Sequence, residues 1–361
     1  MANYDRSGPD YARDMVQDSH GNIYITGSSC SDAAEENGRC RVATTKFSNA
    51  LAGKGTVYYG DGGYQYLEEP DGMAVGPDNS IYVWGYFNGY YIMRYDYYGS
   101  PAWVVQDDLD VETIEFSESG EPLVIGTNGN YSEETLETTY RASARRISMG
   151  GTTLWEYEYA PDEVFGLYDQ SRGTEIAVVS GGVVVAGYYW EDRREDARRH
   201  FLSKHHFDDG GIEWSFPYEP SGTDGARIEK MKSAEGGRMI LVAAGDSLTG
   251  RGGVSAFSSD GEELWTTWFP GEGIEGSSFY YYIDVFERSV RKELLAVIDE
   301  YESRNYQLIT LDKSTGDIIE SISYVPNSSC DNIKYENFDD PCYHPDEDKK
   351  DDDDGSSCCG C

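Results

Sequence analysis

The chain of 361 residues has no run of about eighteen apolar residues, which excludes a membrane-spanning helix. Its start, MANYDRSGPDYARD, holds no apolar signal core, which leaves a cytoplasmic protein or a mature secreted chain. Basic residues are few: 29 Lys and Arg stand against 66 Asp and Glu, a formal net charge of −37. Phosphate binding rests on cationic contacts, so this field argues against nucleic acid and anionic membrane as partners. It favours solubility, cation binding and life in high salt, where screening removes self-repulsion; lysine being scarcer than arginine fits such a setting. Helix-forming stretches are also missing. EDRREDARRH (191–200) comes nearest, and it reads as a solvated loop. There is no G-x-S-x-G elbow, no P-loop, no H-E-x-x-H and no C-x-x-C-H haem site.

What the chain does have is tyrosine (30), glycine (41) and an aromatic content of 14%. Tyrosine suits a pleated surface and carries a polar tip, and glycine supplies turns, so the composition points to β structure. Short apolar strands follow turns and end on Gly27, Gly85, Gly126, Gly187 and Gly245, with Asp299 in the sixth place. These positions recur at intervals of 41 to 61 residues, as loops of variable length between fixed strands would give. Downstream of each lies an alternating strand, a glycine turn and another strand. The step of glycine followed four residues later by tryptophan marks this unit at Gly99/Trp103, Gly151/Trp155, Gly210/Trp214 and Gly261/Trp265. The first repeat has a weaker version, VATTKFSNALAGKGTVYY, and the sixth puts isoleucines in place of tryptophan.

Four short strands per repeat at this spacing predict one all-β domain, a β-propeller of six four-stranded blades over residues 1–326. A short acidic, cysteine-bearing tail (327–361) follows it. TLDKSTGDII (310–319) and AFSSDGEELW (256–265) resemble the repeat of PQQ-like (quinoprotein-like) propellers, and DMVQDSHGNIYITG (14–27) resembles the SBBP repeat of bacterial proteins. These motifs specify blade geometry: a turn glycine, inner hydrophobics and a tryptophan expected to fill the seam between blades. Some catalytic quinoproteins set a vicinal disulfide against the cofactor. Cys358-Cys359 is vicinal but lies outside any blade, so no cofactor is expected. SISYV (321–325) finishes blade six from the C-terminal side, which leaves ring closure to packing, stapled by the tail, or to a borrowed N-terminal strand.

Cys30 and Cys40 flank the loop between the second and third strands of blade one, where a hairpin would bring them together as a disulfide. Cys330 and Cys342 bracket a similar short loop past the last blade. Two such pairs predict an oxidising compartment, extracellular or at the cell surface; the sequons at Asn130 and Asn327 would be glycosylatable there. Cys358, Cys359 and Cys361 make the cysteine count odd, which suggests a link to another chain; His344 would be a fourth ligand for zinc. Asp351, Asp352, Asp353 and Asp354 leave room for loose Ca²⁺ binding, although the EF-hand template fails because Lys350 and Cys361 occupy ligand positions.

In RRHFLSKHHF, strand alternation puts His200 and His206 on one face and His205 on the other, with exposed strand histidines as the ordinary reading. Tyr90, Tyr91, Tyr97, Tyr98, Tyr280, Tyr281 and Tyr282 would make an aromatic, hydroxyl-rimmed interface. These features point to a non-catalytic extracellular binding or assembly module, partnered by itself or by another extracellular protein or glycan. The alternative is an oxidoreductase, lyase or glycosidase whose residues project into the central funnel.

Overall fold

The computed structural model describes residues 10–30, 40–59, 69–86, 89–132, 137–159, 170–190, 198–223, 226–246, 251–269, 282–288, 292–300 and 305–324. Among them the elements are 24 strands and no helix. Taken in chain order the strands form six antiparallel four-stranded sheets over 10–59, 69–107, 109–159, 171–217, 226–268 and 282–324. Each sheet is one blade, and none borrows a strand from another. Residues 198–200 of the predicted loop open the third strand of blade four, while 191–197 lie outside the described residues.

The strands that start each blade pack side by side in order: β1 (Asp10–Gln17), β5 (Glu69–Val75), β9 (Leu109–Phe116), β13 (Ser171–Val179), β17 (Ala226–Ala234) and β21 (Tyr282–Arg288). They wall the central channel. The second strands are covered on both faces by neighbouring blades, which is why they read as continuous apolar runs: every residue of Met239–Asp246 is buried. Five apolar clusters fill five seams, from Tyr24 and Met73 between blades one and two to Trp265 and Ile283 between blades five and six. Among the described residues no sixth cluster joins blade six to blade one. Met15 on β1 stays 62% exposed.

The repeated tryptophan fills the seam, as its spacing predicted. Each indole lies over the turn glycine of the next blade, and its Nε1–H donates to a carbonyl of that turn. Trp103 donates to Met149 O at 2.9 Å, Trp155 to Phe207 O at 2.6 Å, Trp214 to Ser259 O at 3.3 Å and Trp265 to Lys313 O at 3.1 Å. Gly151, Gly210, Gly261 and Gly316 lie under those rings at positive φ, so a side chain would be strained and would press on the indole. In blade six the tryptophan register is held by Glu320, opposite Thr310, rather than by an isoleucine; a bulge shifts the pairing by one residue.

The strand-ending glycine has a different cause. In each of the first five blades the inner strand carries a β-bulge, and the residue opposite its start is Gly27, Gly85, Gly126, Gly187 or Ala244. A β-carbon at any of the four glycines would overlap the carbonyl of Tyr11, Glu69, Asp110 or Arg172 respectively. Blade six has no bulge in β21, and there the glycine gives way to Asp299. In blade five Ala244 stands opposite the bulge, one residue before the strand-ending Gly245, where a β-carbon would meet only the Glu229 carboxylate at 3.9 Å. The predicted Cys30–Cys40 disulfide closes the hairpin of blade one, where the two residues are direct cross-strand partners.

Candidate functional site

Bulging an inner strand aims an extra side chain at the channel. The bulged residues are Arg13, Asp71, Glu112, Thr174 and Glu229. Beside them Glu69, Asp110, Glu115, Arg172 and Glu175 complete an arc across blades two to four in which acids outnumber bases.

This arc perturbs its own acids. The carboxyls of Asp71, Asp110, Glu112, Glu115, Glu175 and Glu229 all hold their protons above the ordinary range. The largest cause at each is removal from bulk water by the surrounding strands, and at all but Asp110 neighbouring acids add to it. Glu112, for example, is raised further by Asp110, Asp71 and Glu175 and relieved only by Arg172. Asp71, Glu112 and Glu115 open on channel water and are walled by protein on their other sides. Asp110 also accepts a hydrogen bond from Tyr90, whose phenol is pushed up to about 12 by burial and then by the Asp110 charge. From blade four onward some acids are paired: Lys230 Nζ lies 2.8 Å from Glu175 Oε1 and Lys232 Nζ lies 2.8 Å from Asp284 Oδ1.

The sign of this perturbation gives a measurable consequence. A carboxyl raised in the fold destabilises the native state when ionised, and that cost disappears as pH falls through its raised value towards the ordinary one near 4.5. Glu112→Gln is therefore expected to melt above the wild type at pH 7, with the gap closing towards pH 4. Buried His200 and His205, pushed down to about 3 and about 4, and the lowered carboxyls of Asp18, Asp78, Glu121, Glu287 and Asp312 also titrate with pH. They act equally on both proteins, so the difference in melting temperature isolates the channel. A gap independent of pH would contradict the assignment.

The residues expected from the sequence fall elsewhere. Tyr90 is half-buried at the channel; Tyr97 is half-buried under Lys46 Nζ, 3.9 Å from its ring centre; Tyr98 stands 87% exposed. Tyr91 corrects the interface reading: it is 1% exposed and packs in the seam between blades one and two. Tyr280 and Tyr281 lie outside the described residues, and so does the side chain of Tyr282. The same holds for Cys330, Cys342, Cys358, Cys359, Cys361, Asn327, His344, Asp351, Asp352, Asp353, Asp354 and the side chain of Asn130.

The histidines do not form a ligand face. His200 is buried and accepts from the Ile228 amide, and His205 is buried with Nδ1 on the Gly210 carbonyl. Only His206 is exposed, roughly 20 Å along the strand from His200. Burial in a blade sandwiched between two others is the reason that the expectation of exposed histidines fails. Among the described residues no three His, Cys, Asp or Glu side chains converge to hold a metal ion, because the channel acids are spread along the wall.

Sequence reasoning missed the channel acids because 66 carboxylates made any pair uninformative. A signal was there: Arg13, Asp71 and Glu112 each lie fourteen residues before a strand-ending glycine.

The family model of the SBBP β-propeller repeat matches residues 6–32, which include the segment that carries the resemblance. No curated protein matches the chain in sequence. Among solved structures, the Kuenenia stuttgartiensis hydrazine synthase is similar at 11% identity and a TM-score of 0.52, over 85% of this chain and 78% of that one. A protein from Lactobacillus plantarum is similar at 10% identity and 0.52, over 86% and 84%. The periplasmic gluconolactonase PpgL of Pseudomonas aeruginosa reaches 12% and 0.49, over 87% and 85%. At such identities the likeness extends to the fold alone. With six four-stranded sheets in chain order, the chain is a six-bladed β-propeller whose start matches the SBBP repeat.

Proposed function

We propose that this propeller is a non-catalytic extracellular binding module that receives an extended cationic group in its carboxylate-lined channel. One observation carries the reading: six carboxyls on neighbouring inner strands hold their protons above the ordinary range, first because the channel wall removes them from bulk water. A ligand bringing several positive charges would ionise them and relieve the mutual repulsion. Because the acids are spread along the wall, a polyamine or a run of Lys and Arg from a partner suits them better than a single Ca²⁺ ion. The Cys30–Cys40 disulfide supports an oxidising setting. Exposed Tyr98 and the tail cysteines support self-association as the assembly part of the reading.

Spermine is the simplest probe. Calorimetric titration is expected to give saturable binding that weakens as salt rises, with Glu112→Gln and Asp110→Asn each reducing affinity several-fold. Binding unaffected by either substitution would sink the proposal.

A second reading rests on Asp110. Its raised carboxyl, bonded to Tyr90 and beside Arg172, has the poise that a general acid needs. This reading predicts turnover of a small substrate that Asp110→Asn abolishes while spermine affinity falls only partly.

A further inference from the structure

In the outer hairpin of every blade one residue is bulged, and in blades two to five the next residue faces the following blade. That position is Trp103, Trp155, Trp214 and Trp265 in blades two to five. In blade one it is Gly55, paired with Lys46 as Trp103 is paired with Arg94. A β-carbon at Gly55 would meet nothing within 4 Å, so this seam has open space where its neighbours hold an indole. The space is a pocket of about 150 Å³ floored by Tyr24, Val57, Ile81 and Tyr95, with Lys54 and Tyr98 at its exposed rim. A cavity of about that size accommodates a benzene ring.

Two polar features point into the same place. The Tyr97 carbonyl stands where Met149 O and Phe207 O stand in the next two seams. Each of those accepts both a guanidinium and an indole N–H: Arg94 Nη1 (3.4 Å) and Trp103 at Met149, Arg146 Nη1 (2.6 Å) and Trp155 at Phe207. Tyr97 O accepts the Lys46 ammonium at 3.1 Å, and no indole reaches it. Tyr95 is buried, and its hydroxyl makes no hydrogen bond of standard geometry among the described residues, although the Thr44 side chain is near enough to influence it.

We propose that this pocket binds a small indole-type aromatic bearing an acidic group. The ring occupies the missing tryptophan's place with its N–H towards the Tyr97 carbonyl, and the carboxylate lies at the rim beside Lys54. The site is separate from the channel and stands independently of the channel's function.

The probes are indole and indole-3-acetate, followed by calorimetry and by the Ile81 methyl resonance. Both are expected to bind one-to-one, to shift that resonance and to raise the melting temperature with concentration. Lys54→Gln should weaken indole-3-acetate roughly two- to fivefold and leave indole unchanged. Val57→Phe, which fills the pocket, should abolish binding of both. Absence of saturable binding to the wild type, an indifferent Ile81 resonance, or a folded Val57→Phe that binds as before would each overturn the proposal. Spermine binding to the same samples stays unchanged if the two sites are separate.

Discussion

Trp155→Ala is expected to lower stability by about 3–5 kcal/mol, the range for deleting a large buried aromatic. Trp155 is 7% exposed, packs with Leu123 and Phe201, and gives its Nε1 proton to Phe207 O of the next blade. Truncation removes the ring and also leaves a carbonyl that Arg146 alone must satisfy. The cost spans two blades, so chemical denaturation should show both losing structure together. The indole's partner provides the sharper check. A β-carbon at Gly210 would lie 2.8 Å from the Trp155 ring, and Gly210 sits at φ +72. Gly210→Ala therefore suffers backbone strain and a steric clash, and only the clash disappears once the ring is gone. The double mutant should be more stable than the sum of the singles predicts, by about 1 kcal/mol. Strict additivity, measured from denaturant midpoints, would show that the glycine is there for its turn alone.

Gly126→Ala is the second large effect, about 3 kcal/mol or more. The added carbon would fall on the Asp110 carbonyl and close to the Val111 Cα, both backbone atoms of β9 that cannot rotate away. Relief requires flattening the bulge that aims Glu112 at the channel, so the variant should lose spermine affinity along with stability. Blade five supplies the control. Ala244 already occupies the equivalent register, so Ala244→Gly should cost only the roughly 1 kcal/mol of added chain entropy. If Gly126→Ala proved as mild as that, the bulge would not be what selects the glycine. Melting curves of the two variants decide the matter.

These two residue types show how far the sequence could be read. The six strand ends gave the blade count, and the glycine–tryptophan step marked the seam in four blades, because each indole needs a glycine beneath it in the next blade. The strand-ending glycine was visible but its cause was not, since a bulge is a register property with no residue type of its own. That is also why the pattern ends its strand on Gly245 while Ala244 stands opposite the bulge, and why isoleucines and not Glu320 drew notice in blade six. Gly55 looked like a weak repeat; its register makes it an absent tryptophan with a pocket in its place. The channel acids were hidden for a compositional reason. In a chain with 66 carboxylates, Asp71 and Glu112 differ from the others only in where two bulges point them.

The most direct test of a cation-receiving channel is to count the protons released when spermine binds at a pH near 5.5. Titration calorimetry in buffers of different ionisation enthalpy gives that number. Carboxyls that hold protons because the wall keeps them from bulk water surrender them when a polycation enters, so net release is predicted, and it should diminish in Glu112→Gln and again in a double variant with Asp110→Asn. Binding with no proton release, or with uptake, would mean that spermine settles elsewhere on this acidic surface and that the channel is not its site.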